Sequence, residues 1–123
     1  MNYLHNRPNT IICDIDGTLV KHASPLETSK PTYNMELLPG TISTIAEWDS
    51  KGYNIILLSG RRESSRIQTE KQLAAVGIIY DQLILGVGGG VRHLVNDKKP
   101  DGVTKTAVAY NLTRDVGIIN LNI

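Results

Sequence analysis

Two carboxylates two residues apart, Asp14 and Asp16, stand where the apolar run Ile11-Ile12-Cys13 gives way to Gly17-Thr18. Like charges this close resist joint ionisation unless a cation or a shared proton relieves them, so the pair reads as a catalytic site supported by a metal. Plainer readings compete. Asp and Gly are turn residues, and the second aspartate could cap the backbone that follows. A calcium loop would need further oxygen ligands at alternating positions and a distal glutamate, whereas Leu19, Val20 and Lys21 come next.

The elements around the pair set its geometry. Thr10 to Cys13 and Tyr53 to Leu58 are apolar enough to be central strands covered on two faces. Between them, Pro39-Gly40-Thr41 opens a helix with Ile42, Ile45, Ala46 and Trp48 on helical spacing, and Gly52 closes it. A second helix is expected from about Arg62 to Val76, stopped by Gly77. Gln82 to Leu85 and His93 to Val95 read as short strands on either side of Gly86-Val87-Gly88-Gly89-Gly90, and Thr106 to Asn111 as a further one. The glycine run lacks the lysine and threonine of a nucleotide-binding loop and suits a tight chain reversal.

Alternating strands and helices predict an α/β fold, a Rossmann-like three-layer sandwich with a mainly parallel sheet. Right-handed crossovers then gather all the C-terminal strand ends on one edge, where such sheets bind ligands. Asp14, Ser59 and Asn96-Asp97, far apart in sequence, are expected to meet there.

Composition suits one domain over residues 1–123, without repeats and with enough apolar side chains for one core. A formal charge of +1 gives no broad field for polyanions, so nucleic acid is not expected as a bulk partner and phosphate recognition must be local. Cys13, the single cysteine, reads as a small buried hydrophobe. The N-terminal segment through Pro8 has no signal-peptide core and no membrane-spanning run occurs, so a cytoplasmic protein without membrane contact is the expectation.

These residues resemble a known family. Asp14-Ile15-Asp16-Gly17-Thr18-Leu19-Val20 is similar to the first motif of the haloacid dehalogenase-like (HAD) phosphohydrolases, and Leu57-Leu58-Ser59-Gly60-Arg61 to their second. Val91-Arg92-His93-Leu94-Val95-Asn96-Asp97 resembles the third and fourth in condensed form. The resemblance implies a magnesium-dependent phosphomonoesterase working through an aspartyl-phosphate. Asp14 would be the nucleophile and Asp16 the general acid, then base. Ser59, Gly60 and Arg92 would hold the phosphoryl group, Arg92 standing where the family usually has lysine, with Lys98 and Lys99 as competing cations. Magnesium would sit on Asp14, the backbone carbonyl of Asp16, and Asp97, with Asn96 and Asp101 as alternatives.

The gaps between motifs are too short for a large cap domain, and 20–38 leaves room only for a loop or small hairpin flap. A capless site admits bulky substrates or is closed by a neighbouring subunit, so a homo-oligomer is one expected form. The stretches Tyr80 to Gly86, Asn96 to Pro100 and Thr106 to Leu112 resemble small phosphatases near surface-sugar biosynthesis, which makes a sugar phosphate the first substrate expectation among small phosphorylated metabolites. A catalytically silent phosphate-binding module and a phosphotransferase of the same fold are the alternatives. His22, near the flap, is a candidate substrate contact, although a lone exposed histidine more often has no role, and His5 and His93 carry no firm signal.

Overall fold

Side chains alternate between core and solvent along the first strand, β1 (Thr10–Asp14): Ile11 and Cys13 are buried while Ile12 is 50% exposed. The computed structural model, which describes residues 8–123, pairs β1 in parallel with β2 (Asn54–Leu58), and β2 in parallel with β3 (Gln82–Ile84), in the order β1-β2-β3. Register sets Ile11 opposite Ile55, and Cys13, Leu57 and Leu83 in one row. The two-residue strand period thus collects one apolar face.

Two helices cover that face. Helix α2 (Thr41–Ser50) buries Thr41, Thr44, Ile45 and Trp48, the spacing of one helical stripe, and ends before Gly52, which is left-handed at φ 74. Helix α3 (Arg66–Ala75) follows a 3-10 turn at Glu63–Ser65, buries Thr69, Gln72 and Leu73, and stops before Gly77 at φ 80. Ile45, Trp48 and Leu73 join the strand residues in a single core. Consecutive right-handed crossovers across sequentially ordered strands place both helices on the same side of the sheet. Ile12 and Ile84, on the other side, remain about half exposed.

The α/β class, the parallel sheet and the lack of a large cap match expectation, but the described residues form no second helical layer. Nor do His93 to Val95 or Thr106 to Asn111 form strands. A short apolar run becomes a strand only by pairing with an open edge and burying one side. Here Val91, Leu94 and Val95 are all strongly exposed, so nothing holds them extended. Residues 98–105 instead fold back on themselves through a single Lys98–Lys105 bridge. Asp101 closes that turn by accepting from the Val103 and Thr104 backbone N–H groups at 2.8 Å each. The Thr104 hydroxyl, together with these two bonds, holds its carboxyl down at about 2.

The 20–38 segment is the expected flap. Its arms pair antiparallel, with Val20 bridging Leu37, Lys21 N–H donating to Glu36 O (2.8 Å) and Leu38 N–H to Leu19 O (3.0 Å). Between them lies a short helix, α1 (Pro25–Thr28), capped by Ser24 Oγ accepting from Glu27 N–H. After a long irregular stretch, residues 113–121 return as a strap along the base of the flap. Asp115, at φ 63, donates its N–H to Gly17 O (2.8 Å) and accepts from His22 N–H (2.8 Å). Ile118 is buried at 1% exposure and donates to Pro39 O. The N-terminal reading over residues 1–7, His5 included, lies outside the described residues; within them, no helix is long and apolar enough to cross a membrane.

Two expectations follow from the packing. A Cβ at Gly117, itself at φ 96, would lie 2.5 Å from Pro39 O. Gly117→Ala should lower unfolding free energy in a urea titration by about 2–4 kcal/mol, combining a left-handed backbone with overpacking. Burial, with the Asp14 charge adding, pushes the Cys13 thiol up from 9.0 to about 12. The native thiol should therefore resist iodoacetamide at pH 8. Because the folded value is the raised one, the contribution to stability is complete below pH 9 and fades between 9 and 12. Cys13→Ala should flatten that part of the stability–pH curve.

Candidate active site

Strand β1 ends at Asp14, and the chain turns at once. Leu19, Val20 and Thr18 N–H groups all donate to Ile15 O, and Gly17 N–H donates to Val20 O at 2.7 Å. Gly17 takes φ 88, a conformation that suits a residue without a Cβ. Ile15 is fully buried, while its neighbours Asp14 and Asp16 both line an open cleft of about 910 Å³. The alternation that builds the core therefore also aims two carboxylates at one space.

Each carboxylate has its own guanidinium. Asp14 Oδ1 lies 3.3 Å from Arg92 Nη1, and its Oδ2 accepts from the Thr18 hydroxyl at 3.2 Å. Asp16 is gripped bidentately by Arg61, Nε to Oδ2 at 3.0 Å and Nη2 to Oδ1 at 2.9 Å. The Arg61 side chain is only 8% exposed. Its remaining nitrogen, Nη1, donates to Gln72 Oε1 at 2.5 Å and reaches Thr69 Oγ1 at 3.5 Å. Charge-assisted, forked contacts of this kind are what a nearly buried arginine needs to offset the loss of its water.

The second segment works through its backbone. Ser59 is 1% exposed and its Oγ accepts from Arg61 N–H at 3.0 Å, so its hydroxyl fixes the turn that carries Arg61. Gly60, not Ser59, is among the residues lining the cleft. Val87, Gly89 and Arg92 line its far wall, so the glycine-rich stretch brings Arg92 to Asp14. Pro25, Leu26, Thr28 and Ser29 of the flap form another wall.

The structure does not bring the fourth segment to this cleft. Asn96, Asp97, Lys98, Lys99 and Asp101 are all exposed and none lines it. The Asp97 carbonyl accepts from the Thr106 hydroxyl at 2.5 Å. Without a strand through 93–95, nothing carries Asn96-Asp97 to the sheet edge. Arg62 and Arg114 line the cleft instead, and neither has a carboxylate partner among the described residues. Arg61 closes the stretch that resembles the second motif, but an arginine just ahead of a helix is equally at home in solvent, so its sequence position alone does not assign it. Gln72 had one signal: a polar residue within the buried stripe Thr69-Gln72-Leu73 of a helix asks for a partner. Arg114 had none, because only the strap's return brings it near Gly17, where its Cγ lies 3.1 Å from the position a Cβ would take.

The donors in the cleft fit a hard divalent cation of modest protein ligation. Magnesium binds through one or two carboxylates and retains several waters. Asp14 and Asp16 both line the open cleft, and the Asp14 carboxylate is such a donor. Among the described residues no group of three or more His, Cys, Asp or Glu side chains could hold a metal, so a fully protein-ligated ion does not fit.

Comparison with known proteins places this architecture. Residues 8–115 match the family model described as the polynucleotide kinase PNKP phosphatase domain. A chain in the structure of a Pnkp1/Rnl/Hen1 complex is 32% identical over 70% of this chain and superposes with a TM-score of 0.52. A second structure, of the Pnkp1/Rnl/Hen1 RNA repair complex, gives 32% over 69% and 0.51. This chain spans only 30% and 28% of those two relatives. A structural-genomics target from Vibrio cholerae, 18% identical over 72% of this chain and 80% of its own, shares the fold at a TM-score of 0.53. No curated protein matches at a significant level. On the match over residues 8–115, the chain belongs to the phosphatase-domain family of polynucleotide kinase PNKP, within the HAD-like phosphatases.

Proposed function

We propose that the protein hydrolyses phosphomonoesters through an aspartyl-phosphate on Asp14, and that its substrate is a phosphorylated end of a polynucleotide. The observation that carries the reaction is the pair of carboxylates at the end of β1, both lining one cleft, with Arg92 beside the first. A carboxylate can attack phosphorus and split one difficult displacement into two easier ones.

In the first step, which starts with Asp16 protonated on an oxygen released from Arg61, an Asp14 oxygen bonds to phosphorus, the ester P–O bond breaks, and Asp16 gives that proton to the departing oxygen. In the second, Asp16 takes a proton from water, whose oxygen attacks phosphorus as the Asp14–phosphorus bond breaks, releasing inorganic phosphate. Arg92 offsets the charge that gathers on the phosphoryl oxygens, and Gly60 lets backbone approach them closely. Ser59 supports this by holding the Arg61 turn. Asp14 and the Asp16 carbonyl would hold magnesium, which would supply further positive charge to the phosphoryl transfer.

The family description supports the polynucleotide end, as does the RNA repair complex in which one relative is found. Arg62 and Arg114 in the cleft add to it, since a chain carries phosphodiesters beside the terminal phosphate and guanidinium groups bind them well. With a net charge of only +1, grip on such a chain would be local to the cleft.

Phosphate release from a terminally phosphorylated oligonucleotide, in magnesium buffer, tests both halves. Asp14→Asn should fall at least about a thousandfold, and equal rates in variant and parent would sink the nucleophile assignment. Asp16→Asn should lose about a hundredfold or more. A hexose phosphate turned over with higher kcat/KM than the oligonucleotide would restore the small-metabolite reading. Arg62→Ala combined with Arg114→Ala should raise KM for the oligonucleotide about tenfold more than for phenyl phosphate, an excess that shrinks as salt rises.

A further inference from the structure

Between the flap and Asp16 runs a continuous chain of polar contacts that the reaction as written does not use. The flap's far end presents three backbone carbonyls, of Thr28, Ser29 and Lys30, toward α3. Gln68 Nε2 meets all three, at 3.4, 3.0 and 3.1 Å. One helical turn on, Gln72 Nε2 donates to Thr28 O at 2.9 Å. The other end of the same amide, Oε1, accepts from Arg61 Nη1, and Arg61 holds both oxygens of Asp16.

Gln72 is 7% exposed, so neither end of its amide has ready access to solvent. A buried amide left with one end unpaired costs about 1–3 kcal/mol, which favours the arrangement in which both partners are present. Its orientation is also fixed by chemistry. A carbonyl can only accept and a guanidinium can only donate, so the nitrogen must face Thr28 and the oxygen Arg61. An arginine with four of its contacts made to Asp16, Gln72 and Thr69 has little freedom to turn its fork.

Resting on the reading of Asp16 as proton donor, we infer that Gln72 is a positioning residue: it spans from the flap to Arg61 and so sets the aim of Asp16 at the departing oxygen. Flap placement and proton delivery are thereby coupled through one side chain. A flap displaced from α3 removes the Thr28 acceptor, leaves one end of the buried amide unpaired and so frees Arg61 to turn the fork that sets the direction of Asp16.

Leaving groups provide the test, because an ester with a poor leaving group needs the proton and one with a good leaving group scarcely does. The quantity to measure is kcat/KM, which covers only the steps up to departure of that group, for phenyl and p-nitrophenyl phosphate. Gln72→Met, similar in shape but unable to bridge, should lose about tenfold on the phenyl ester and at least about threefold less on the p-nitrophenyl ester. Gln72→Asn, too short to span both partners, should show the same divergence, and either variant suffices if the other fails to fold by thermal melting. Gln72→Glu keeps an oxygen facing Arg61 and should recover the parental ratio between the two esters while raising KM, its second oxygen now opposing Thr28 O. Equal losses on both esters in the folded Met or Asn variant, or no recovery of the ratio in Gln72→Glu, would overturn the inference. Asp16→Asn serves as control: if it does not itself penalise the phenyl ester more, the proton-donor reading has failed, and not the role of Gln72.

Discussion

Negative charges at positions 14 and 16 repel each other across one turn, and each is met by an arginine from a different part of the chain. Arg61 arrives from the end of β2 and Arg92 from beyond β3. At an effective dielectric of about 20, two unit charges about 4 Å apart interact by roughly 4 kcal/mol before screening by solvent, so the nearly buried Arg61 contact does most to counter the repulsion. The requirement falls on the strand order itself. With β2 beside β1 and β3 beside β2, both guanidinium groups reach the same edge of the sheet. The parallel topology is thus what lets the carboxylate pair exist in the folded state.

The two pairings differ in kind. Arg61 is nearly buried, forked onto Asp16 and fixed by Gln72, so it belongs to the framework. Arg92 is 42% exposed at its side chain and makes one longer contact with Asp14. A cation held this loosely can shift from carboxylate to phosphoryl oxygen at small cost, since a half-exposed pair in water is worth at most about 1 kcal/mol. One carboxylate is held rigidly and the other can be uncovered, as befits a proton donor whose aim matters and a nucleophile that must become free.

Sequence carried the strands, both long helices and the stops at Gly52 and Gly77, because these depend on local pattern and on glycine's access to positive φ. Motif spacing singled out Asp14, Asp16 and Arg92, which the fold brings to one cleft. Sequence did not carry the end of the chain. Val91 to Val95 has the composition of a strand, yet whether such a run pairs depends on a free edge nearby, which no local window records. The expectation for Asp97 rested on that strand, and the structure leaves this residue on an exposed segment. Arg61 was visible only as a residue with two equally good uses. The contacts of Gln72 span 11 and 44 residues along the chain, so no local stretch of sequence could name its partners.

The strap that returns over the flap base rests on three glycines far apart in sequence. A Cβ at Gly40 would lie 2.5 Å from Ile119 Cα, one at Gly117 2.5 Å from Pro39 O, and one at Gly17 3.1 Å from Arg114 Cγ. Two of these clashes are against backbone, which has nowhere to retreat. At Gly40 and Gly117 substitution is therefore poorly tolerated although no proton moves and no phosphate binds there. In a set of random variants, the positions barred most strictly would include Gly40 and Gly117, and a map of intolerance drawn without coordinates would misread a packing seam as part of the catalytic centre.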